Sequence, residues 1–283
     1  MFKIGFIDYY LDEWHANNYP RFITECVGEE LKVAYAYGMI ASPKSGKTSA
    51  EWCEEMGVLL CGSIEELVEK SDGIVVLSPD NPEMKEELSE LALKSGKPVF
   101  VDKTFTTGYE SAKRMMDTAE KHGTPMYTSS ALRYAPDYDE IDGTDVTAIN
   151  CIGPNDLNNY SIHMLEPMMK IMRTDASEVM YTEAEGYYSI NIRFVDGRAG
   201  SVSGYMDKRF PFMIAYAGKN ATKVAHATAP FWPVFTKGLC DFFLKGEIKV
   251  DPRESMAIMA IRTAAYEAKK TPGEWVKVEN RGF

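Results

Sequence analysis

Residues 81–104 read NPEMKEELSELALKSGKPVFVDKT and already indicate the fold class. Residues 81–95 form a helix-like segment, and Gly96 follows Lys94 as expected at a helix C-terminus. Residues 98–101 are a short apolar run rich in Val and Phe, too short for a helix and typical of a buried strand. The stretch therefore predicts a helix that leads directly into a strand.

The same alternation extends over the first 130 residues. Further strand-like runs lie at 3–7, 31–37, 73–77 and, more weakly, 125–128, and further helical segments lie at 19–30, 49–56, 64–70 and 110–122. Strands that alternate with helices are joined by right-handed crossovers into a parallel sheet. The N-terminal part is therefore predicted to be α/β, a Rossmann-like doubly wound parallel sheet.

The second half of the chain has a different pattern. A helical stretch near 159–172 is accompanied by strand-like runs at 146–152, 178–185, 187–195, 200–205, 213–217 and 223–227. The turn Asp196-Gly197 is a hairpin signal. We expect an α+β domain with a mostly antiparallel open sheet and a C-terminal helix at about 252–269. The predicted domains are 1–124 and 125–283.

Composition excludes several classes of protein. The chain has 283 residues, with 31 basic and 42 acidic side chains and a net charge of −11, so nucleic acid and anionic membrane surfaces are unfavourable partners. Five scattered cysteines lack C-x-x-C spacing, which favours reduced thiols and no metal site. No apolar run approaches the ~18 residues of a membrane helix, and no signal-peptide pattern opens the chain. We expect a cytoplasmic protein.

Several short motifs resemble those of one known family. Residues 96–104 correspond to its G-K-x-V-x-x-E-K-P element after the fourth strand, and residues 133–136 to its R-[FY]-x-P turn. His163, with Glu166 three residues later, matches its helix signature, and the C-terminal pattern also agrees. The chain thus resembles, over most of its length, the glucose–fructose oxidoreductase, inositol dehydrogenase and MocA (Gfo/Idh/MocA) family.

The resemblance implies a function and a set of site residues. Family members transfer hydride between a nicotinamide cofactor, NAD or NADP, and an alcohol carbon, commonly of a sugar or polyol. By position, Lys103 would assist proton transfer and His163 would be the acid/base, with Asn159 where the family has an aspartate. The resemblance also implies substrate-binding residues, Arg133 and Tyr134, and cofactor-binding residues, Ser78, Pro79 and Asp102. Alternatively, His163 is a core or surface histidine and Lys103 a solvated lysine. Thr104 replaces the family's proline, and a cis bond before it is not expected.

The loop after the first strand departs from the family pattern. A dinucleotide site needs G-x-G-x-x-G there, but the three glycine positions are Asp8, Tyr10 and Glu13. The rings of Tyr9 and Tyr10 would take space that the pyrophosphate needs, and the carboxylates would repel it. The candidate cofactor-binding residues of this loop are Asp8, Tyr9 and Tyr10.

The end of the second predicted strand is also unusual. It carries no acidic residue to hold the ribose hydroxyls of NAD. The loop that follows, residues 42–48, is basic and rich in hydroxyl groups, with Lys44 and Ser45 as candidate ligands. It could hold the 2′-phosphate of NADP, it could bind another phosphate, or it could be a solvated loop.

Three functions remain open from the sequence. The first is an NAD(P)-dependent oxidoreductase that acts on a small sugar- or polyol-like molecule. The second is a non-catalytic ligand-binding or regulatory protein on the same fold that has lost dinucleotide binding. The third is a non-redox enzyme, such as a lyase, that uses Lys103 and His163 without a dinucleotide. A phosphate site left open by a late helix start favours the first, and a crevice filled by aromatic rings favours the second.

The strand at 187–195 carries a strongly apolar side. Tyr188, Ile190, Ile192 and Phe194 alternate with polar residues. If that side were open to solvent it would form a large apolar face. We therefore expect a homodimer or a larger homo-oligomer through the C-terminal sheet, unless helices cover this face.

Overall fold

The structure is a computed structural model that describes residues 1–283. The chain forms two compact units. The N-terminal unit comprises Met1–Ser129 and Thr236–Val250, and the C-terminal unit comprises Ser130–Phe235 and Asp251–Phe283. Sequence reasoning placed the boundary at 124 and did not anticipate that residues 236–250 return to the N-terminal unit. No helix is long and apolar enough to cross a bilayer.

The N-terminal unit is built on a six-stranded parallel sheet in the order β3-β2-β1-β4-β5-β6. Its strands are β1 (Phe2–Asp8), β2 (Leu31–Gly38), β3 (Leu59–Leu60), β4 (Gly73–Val76), β5 (Val99–Asp102) and β6 (Met126–Ser129). Its helices are α1 (Trp14–Val27), α2 (Ser49–Met56), α3 (Ile64–Lys70), α4 (Lys85–Leu93) and α5 (Tyr109–Lys121). The predicted Rossmann-like, doubly wound parallel sheet is confirmed.

The central strands form the core of this unit. Phe6, Val75 and Val101 on three adjacent strands are fully buried. Continuous apolar strands of this kind occur where helices cover both faces of a parallel sheet. Strand β1 pairs with β2 on one side and with β4 on the other, so the strand order reverses between β1 and β4. In open α/β sheets, ligands bind at the carboxyl ends of the strands at this switch point.

Helix α1 begins earlier than predicted. The sequence pattern predicted a helical segment over residues 19–30. The structure starts it at Trp14 and keeps Pro20 inside. Tyr19 and Ile23 lie on the buried face of the helix together with His15. Burial of this face outweighs the backbone hydrogen bond that a proline removes.

The C-terminal unit contains a seven-stranded sheet in the order β12-β11-β7-β10-β9-β8-β13. Its strands are β7 (Val146–Pro154), β8 (Ala176–Ala184), β9 (Tyr187–Phe194), β10 (Ala199–Tyr205), β11 (Met213–Gly218), β12 (Thr222–His226) and β13 (Trp275–Lys277). Its helices are α6 (Leu157–Met172) and α8 (Pro252–Ala268), while α7 (Trp232–Lys245) belongs to the N-terminal unit from Thr236 onward. All pairs are antiparallel except β10 with β7, so the mostly antiparallel sheet is confirmed.

The apolar side of β9 is covered within the chain. Tyr188, Ile190, Ile192 and Phe194 are all at most 3% exposed. They lie on the face of the sheet against which α6 and α8 pack. Helices therefore cover this side of β9, which is the alternative that the sequence left open, and this side gives no reason for pairing with a second copy. The opposite face of β9 carries small or polar side chains such as Ser189 and Asn191.

Candidate functional site

Hydrogen bonds join the end of β1 to the segment that follows β4, at the switch point of the sheet. Asp8, at the end of β1, accepts hydrogen bonds from the backbone N–H and the hydroxyl of Ser78, both at 3.0 Å. The Ser78 hydroxyl also accepts a bond of 2.9 Å from the backbone N–H of Tyr9. The second carboxylate oxygen of Asp8 has no hydrogen-bond partner. Burial raises the pKa of Asp8 to about 7, although the bonds from Ser78 oppose this shift.

Bulky side chains occupy the loop that follows. Tyr10 and Leu11 are both buried. The Tyr10 hydroxyl donates a hydrogen bond of 3.0 Å to Asp80, beyond the end of β4. A Cβ atom built on Gly38, at the end of β2, would lie 3.1 Å from Leu11, so this side chain lies where the ribose of a dinucleotide is normally held.

Glu13 caps helix α1. Its carboxylate accepts hydrogen bonds from the backbone N–H groups of His15, at 2.7 Å, and of Ala16. The first amides of a helix lack intrahelical partners and form a ready site for anions. Burial, with the nearby charge of Asp8, raises the pKa of Glu13 well above its usual value. A carboxyl group of the chain itself thus occupies this helix N-terminus.

The basic loop of residues 42–48 is paired with acids of the same unit. Lys44 forms an ion pair with Asp80, and Lys47 forms one of 2.7 Å with Glu55. The Ser45 hydroxyl donates a hydrogen bond of 2.6 Å to Asp12. Lys44 and Ser45, two of the candidate phosphate ligands, therefore contact carboxylates of their own unit. The bond between Ser45 and Asp12 ties this loop to the loop after β1.

Asp102 lies at the carboxyl end of β5 and is fully enclosed by side chains. It pairs with Nδ1 of His15 and accepts a hydrogen bond of 3.0 Å from the Tyr19 hydroxyl. The rings of His15 and Tyr19 are stacked at 5.2 Å. Burial alone would raise the pKa of Asp102, but the charge and hydrogen bond of His15 lower it to about 2. This predicted cofactor ligand is an ionised carboxylate held by two side chains of α1.

Lys85 organises the backbone beside Asp102. Its ammonium group donates hydrogen bonds to the carbonyls of Asp102, Lys103 and Thr104, at 2.6, 2.7 and 2.8 Å. Burial lowers its pKa to about 7, although the charge of Asp102 opposes this. The Lys103–Thr104 peptide bond is cis, contrary to expectation. Lys103 is half-buried, and its ammonium group forms no hydrogen bond within the N-terminal unit.

His163 is held by a hydroxyl in the C-terminal unit. Its Nδ1 lies 2.6 Å from the Ser130 hydroxyl, and its ring packs edge-on against Tyr160 at 5.2 Å. The backbone N–H of Asn159 donates a bond of 3.0 Å to Asp156, the N-cap of α6. The structure therefore pairs His163 with Ser130, whereas the sequence suggested Asn159. Ser130 comes just before the R-Y-x-P turn, and the sequence analysis did not select it.

Arg133 belongs to a buried ion-pair network. Its guanidinium lies 3.3 Å from Glu166 and also pairs with Glu254. All three side chains are at most 6% exposed. The Tyr134 ring packs edge-on against Phe235 at 5.6 Å. This placement indicates that Arg133 joins α6 and α8 within the C-terminal unit, a role that differs from the predicted contact with substrate.

Residues 32–129 match the model of a family described as an oxidoreductase family with an NAD-binding Rossmann fold, GFO_IDH_MocA. The matched stretch lies wholly within the N-terminal unit. The resemblance found in the motifs is thus confirmed for this part of the chain. The matched range begins after β1 and α1, so it does not include the altered loop.

Solved structures share the fold of both units. A myo-inositol dehydrogenase from Lactobacillus casei, in complex with NAD(H) and myo-inositol, is 14% identical with a TM-score of 0.82, over 100% of this chain and 98% of that one. A scyllo-inositol dehydrogenase from the same organism, with NAD(H) and scyllo-inositol, is 13% identical with a TM-score of 0.80, over 98% and 99%. A probable dehydrogenase from Thermotoga maritima is 15% identical with a TM-score of 0.80, over 98% and 99%. No curated protein matches.

The N-terminal unit does not fit a dinucleotide in the usual manner. The pyrophosphate normally lies on the first amides of α1, and Glu13 holds two of them. The space that glycines would leave contains the buried side chains of Tyr10 and Leu11. The N-terminal unit therefore has a Rossmann-like sheet and helices, while its own side chains cover the first amides of α1 and fill the loop before them. No cluster of three or more His, Cys, Asp or Glu side chains that could hold a metal ion is found.

Proposed function

We propose that this protein is an oxidoreductase that transfers hydride to or from an alcohol carbon of a sugar- or polyol-like substrate. The family match and the inositol dehydrogenases of the same fold support the reaction and the substrate class. The observation that carries the proposal is the His163–Ser130 pair at 2.6 Å. It gives the C-terminal unit an oriented imidazole of the kind that alcohol oxidation requires.

The pair defines how His163 would handle the proton of the alcohol. When Nδ1–H donates to the Ser130 hydroxyl, Nε2 is the basic atom and accepts a proton. The imidazolium that forms still donates Nδ1–H to Ser130, and its Nε2–H gives the proton back in the reverse direction. Either direction of the reaction therefore uses Nε2, while Ser130 holds the ring. Lys103 would assist proton transfer, as the resemblance implies.

A second function is favoured by the altered loop. The Glu13 side chain binds the first amides of α1, and Tyr10 binds Asp80. Both contacts are compatible with a protein that has lost dinucleotide binding. Such a protein would bind a small molecule on the same fold without catalysis. The two functions differ in a single property, the binding of a nicotinamide dinucleotide.

Binding of NADH and NADPH to the purified protein distinguishes them. Fluorescence of the reduced nicotinamide gives the affinity, and a thermal shift gives an independent readout, since a ligand at 100 times its Kd adds about 2.7 kcal/mol of stability. Binding followed by turnover of polyols would support the oxidoreductase. His163→Ala should then lose turnover, and His226→Ala, on the exposed strand β12, is the matched control. No binding at millimolar concentrations of either cofactor would favour the ligand-binding protein.

A homo-oligomer formed through the C-terminal sheet remains a proposal that rests on the resemblance. The side of the sheet that α6 and α8 leave uncovered would supply the contact, and it carries residues such as Asn191.

A further inference from the structure

The carboxylate of Glu13 stands where a dinucleotide's pyrophosphate would bind. It accepts hydrogen bonds from the N–H groups of His15 and Ala16 and is 6% exposed. The pyrophosphate in dinucleotide folds uses the same kind of donor, the first amides of the helix after β1. A carboxylate and a phosphate oxygen cannot share these N–H groups, so one excludes the other.

The backbone on both sides of Glu13 is anchored. Tyr10 reaches Asp80 through its hydroxyl, and Asp12 accepts a bond of 2.6 Å from Ser45. The backbone N–H of Glu13 itself donates a bond of 2.8 Å to the carbonyl of Leu11. The loop is thus held to the segments that follow β2 and β4, which keeps Glu13 at the start of α1.

The local charge also disfavours an added anion. Asp8, Glu13 and Asp102 are three buried carboxyl groups in this part of the unit, and the charges of Asp8 and Asp102 raise the pKa of Glu13. The basic groups that face them are His15, which pairs with Asp102, Lys85, which binds the carbonyls beside it, and Lys103, whose charge lowers the pKa of Asp102. A pyrophosphate placed on α1 would add negative charge to a region where burial already disfavours the ionised forms of Asp8 and Glu13.

We propose that Glu13 is a built-in competitor of pyrophosphate, so that a dinucleotide can use the N-terminus of α1 only after the Glu13 side chain has left it. The inference rests on the proposed function for the identity of the dinucleotide, but not for the competition itself. The Glu13 side chain thus controls the access of phosphate groups to the N-terminus of α1.

Inorganic pyrophosphate is the probe that tests the competition without a redox cofactor. Glu13→Gly removes the carboxylate and restores a glycine at the third position of the loop. Glu13→Gln keeps the size of the side chain, and it serves as the second variant if Glu13→Gly does not fold. Glu25→Gln removes one exposed negative charge from the same helix and is the matched control. Titration calorimetry gives the Kd, and amide chemical shifts of His15 and Ala16 locate the anion.

We expect pyrophosphate to shift these two amides in the Glu13 variants and to bind the variants about tenfold or more tightly than the wild type or Glu25→Gln. Glycine leaves both N–H groups free, and glutamine, with one acceptor oxygen in place of two, leaves one of them free. Equal affinity in all four proteins would overturn the inference. So would the absence of binding to both Glu13 variants, because Glu13 would then not be what excludes the anion.

The same proteins are titrated with NADH to separate the two proposals. If the Glu13 variants gain affinity for both pyrophosphate and NADH, both proposals are supported. If they gain pyrophosphate binding while NADH binds no form, the competition stands and the oxidoreductase proposal fails. If the wild type binds NADH tightly and the variants gain nothing for either ligand, the competition is refuted and the oxidoreductase proposal stands.

Discussion

Replacement of Glu166 by glutamine should change how the stability of the protein depends on pH. Glu166 is fully buried, and its burial raises its pKa from 4.5 to about 7, despite the opposing charge and hydrogen bond of Arg133. Arg133 also pairs with Glu254, so its charge is shared between two carboxylates. Glutamine has nearly the same shape and can still accept a hydrogen bond from Arg133, but it does not titrate.

The sign and size of the effect follow from linkage. Between the two pKa values the native state keeps a proton on Glu166 that the unfolded state has released, so stability is lost as pH rises toward and through 7. A shift of this size corresponds to about 3.4 kcal/mol in total, of which about 2.5 kcal/mol develops between pH 5 and pH 8. Relative to the wild type, Glu166→Gln should therefore gain about 2.5 kcal/mol of stability over this range.

Urea unfolding at pH 5, 6, 7 and 8, followed by circular dichroism, measures this difference directly. Only the change of the difference with pH matters, so any constant cost of the substitution cancels. Glu267→Gln, an exposed carboxylate on α8, is the matched control and should run parallel to the wild type. Parallel profiles for Glu166→Gln and the wild type would refute the argument, because Glu166 would then ionise alike in both states.

Three further outcomes are expected. Tyr10→Phe should lower the free energy of unfolding by about 1 kcal/mol, because it removes the hydrogen bond to Asp80, and should lower Tm by about 2–4 °C. Tyr9→Phe is the control and should leave Tm unchanged, so equal Tm values for the two variants would contradict this prediction. His163→Ala should lower kcat by about 10²–10⁴ with a smaller change in KM, as measured by steady-state kinetics on a polyol that the wild type oxidises; an unchanged kcat would remove His163 from the reaction. Light scattering after gel filtration should give a mass at least about twice the monomer's 31.8 kDa, and a monomer would end the oligomer proposal.

Local patterns predicted the fold because each element shows its period within a few residues. The strand in residues 98–101 and the helix at 252–269 appear as β5 and α8 with small shifts at their ends. The predicted start of the first helix, residue 19, was wrong, because burial of the face that includes His15 depends on the whole unit. Local signals therefore located the elements better than their boundaries.

The site was harder to predict because its contacts join distant parts of the chain. Ser130 and His163 are 33 residues apart, and nothing in either segment points to the other. Lys85 begins α4 in a run of charged residues that is typical of a solvated face. In the structure it is fully buried and donates hydrogen bonds to three backbone carbonyls. Glutamate is not among the preferred N-cap residues, so the sequence held no cue that Glu13 would cap α1. The sequence showed that the three loop glycines are absent. It did not show that the Glu13 side chain would bind the first amides of α1.

Residues 236–250 give the N-terminal unit a particular order of assembly. Phe242 packs against Tyr127 at 4.8 Å, and Phe243 against Phe2 at 5.9 Å, so side chains of α7 complete a core that begins with the first strand. On the ribosome this core cannot close until residue 250 has been made, by which time most of the C-terminal unit has already emerged. A fragment that stops at residue 129 would leave apolar surface around Phe2 and Tyr127 exposed to water. The Rossmann-like half of this protein is thus encoded in two pieces, and it is completed late in synthesis.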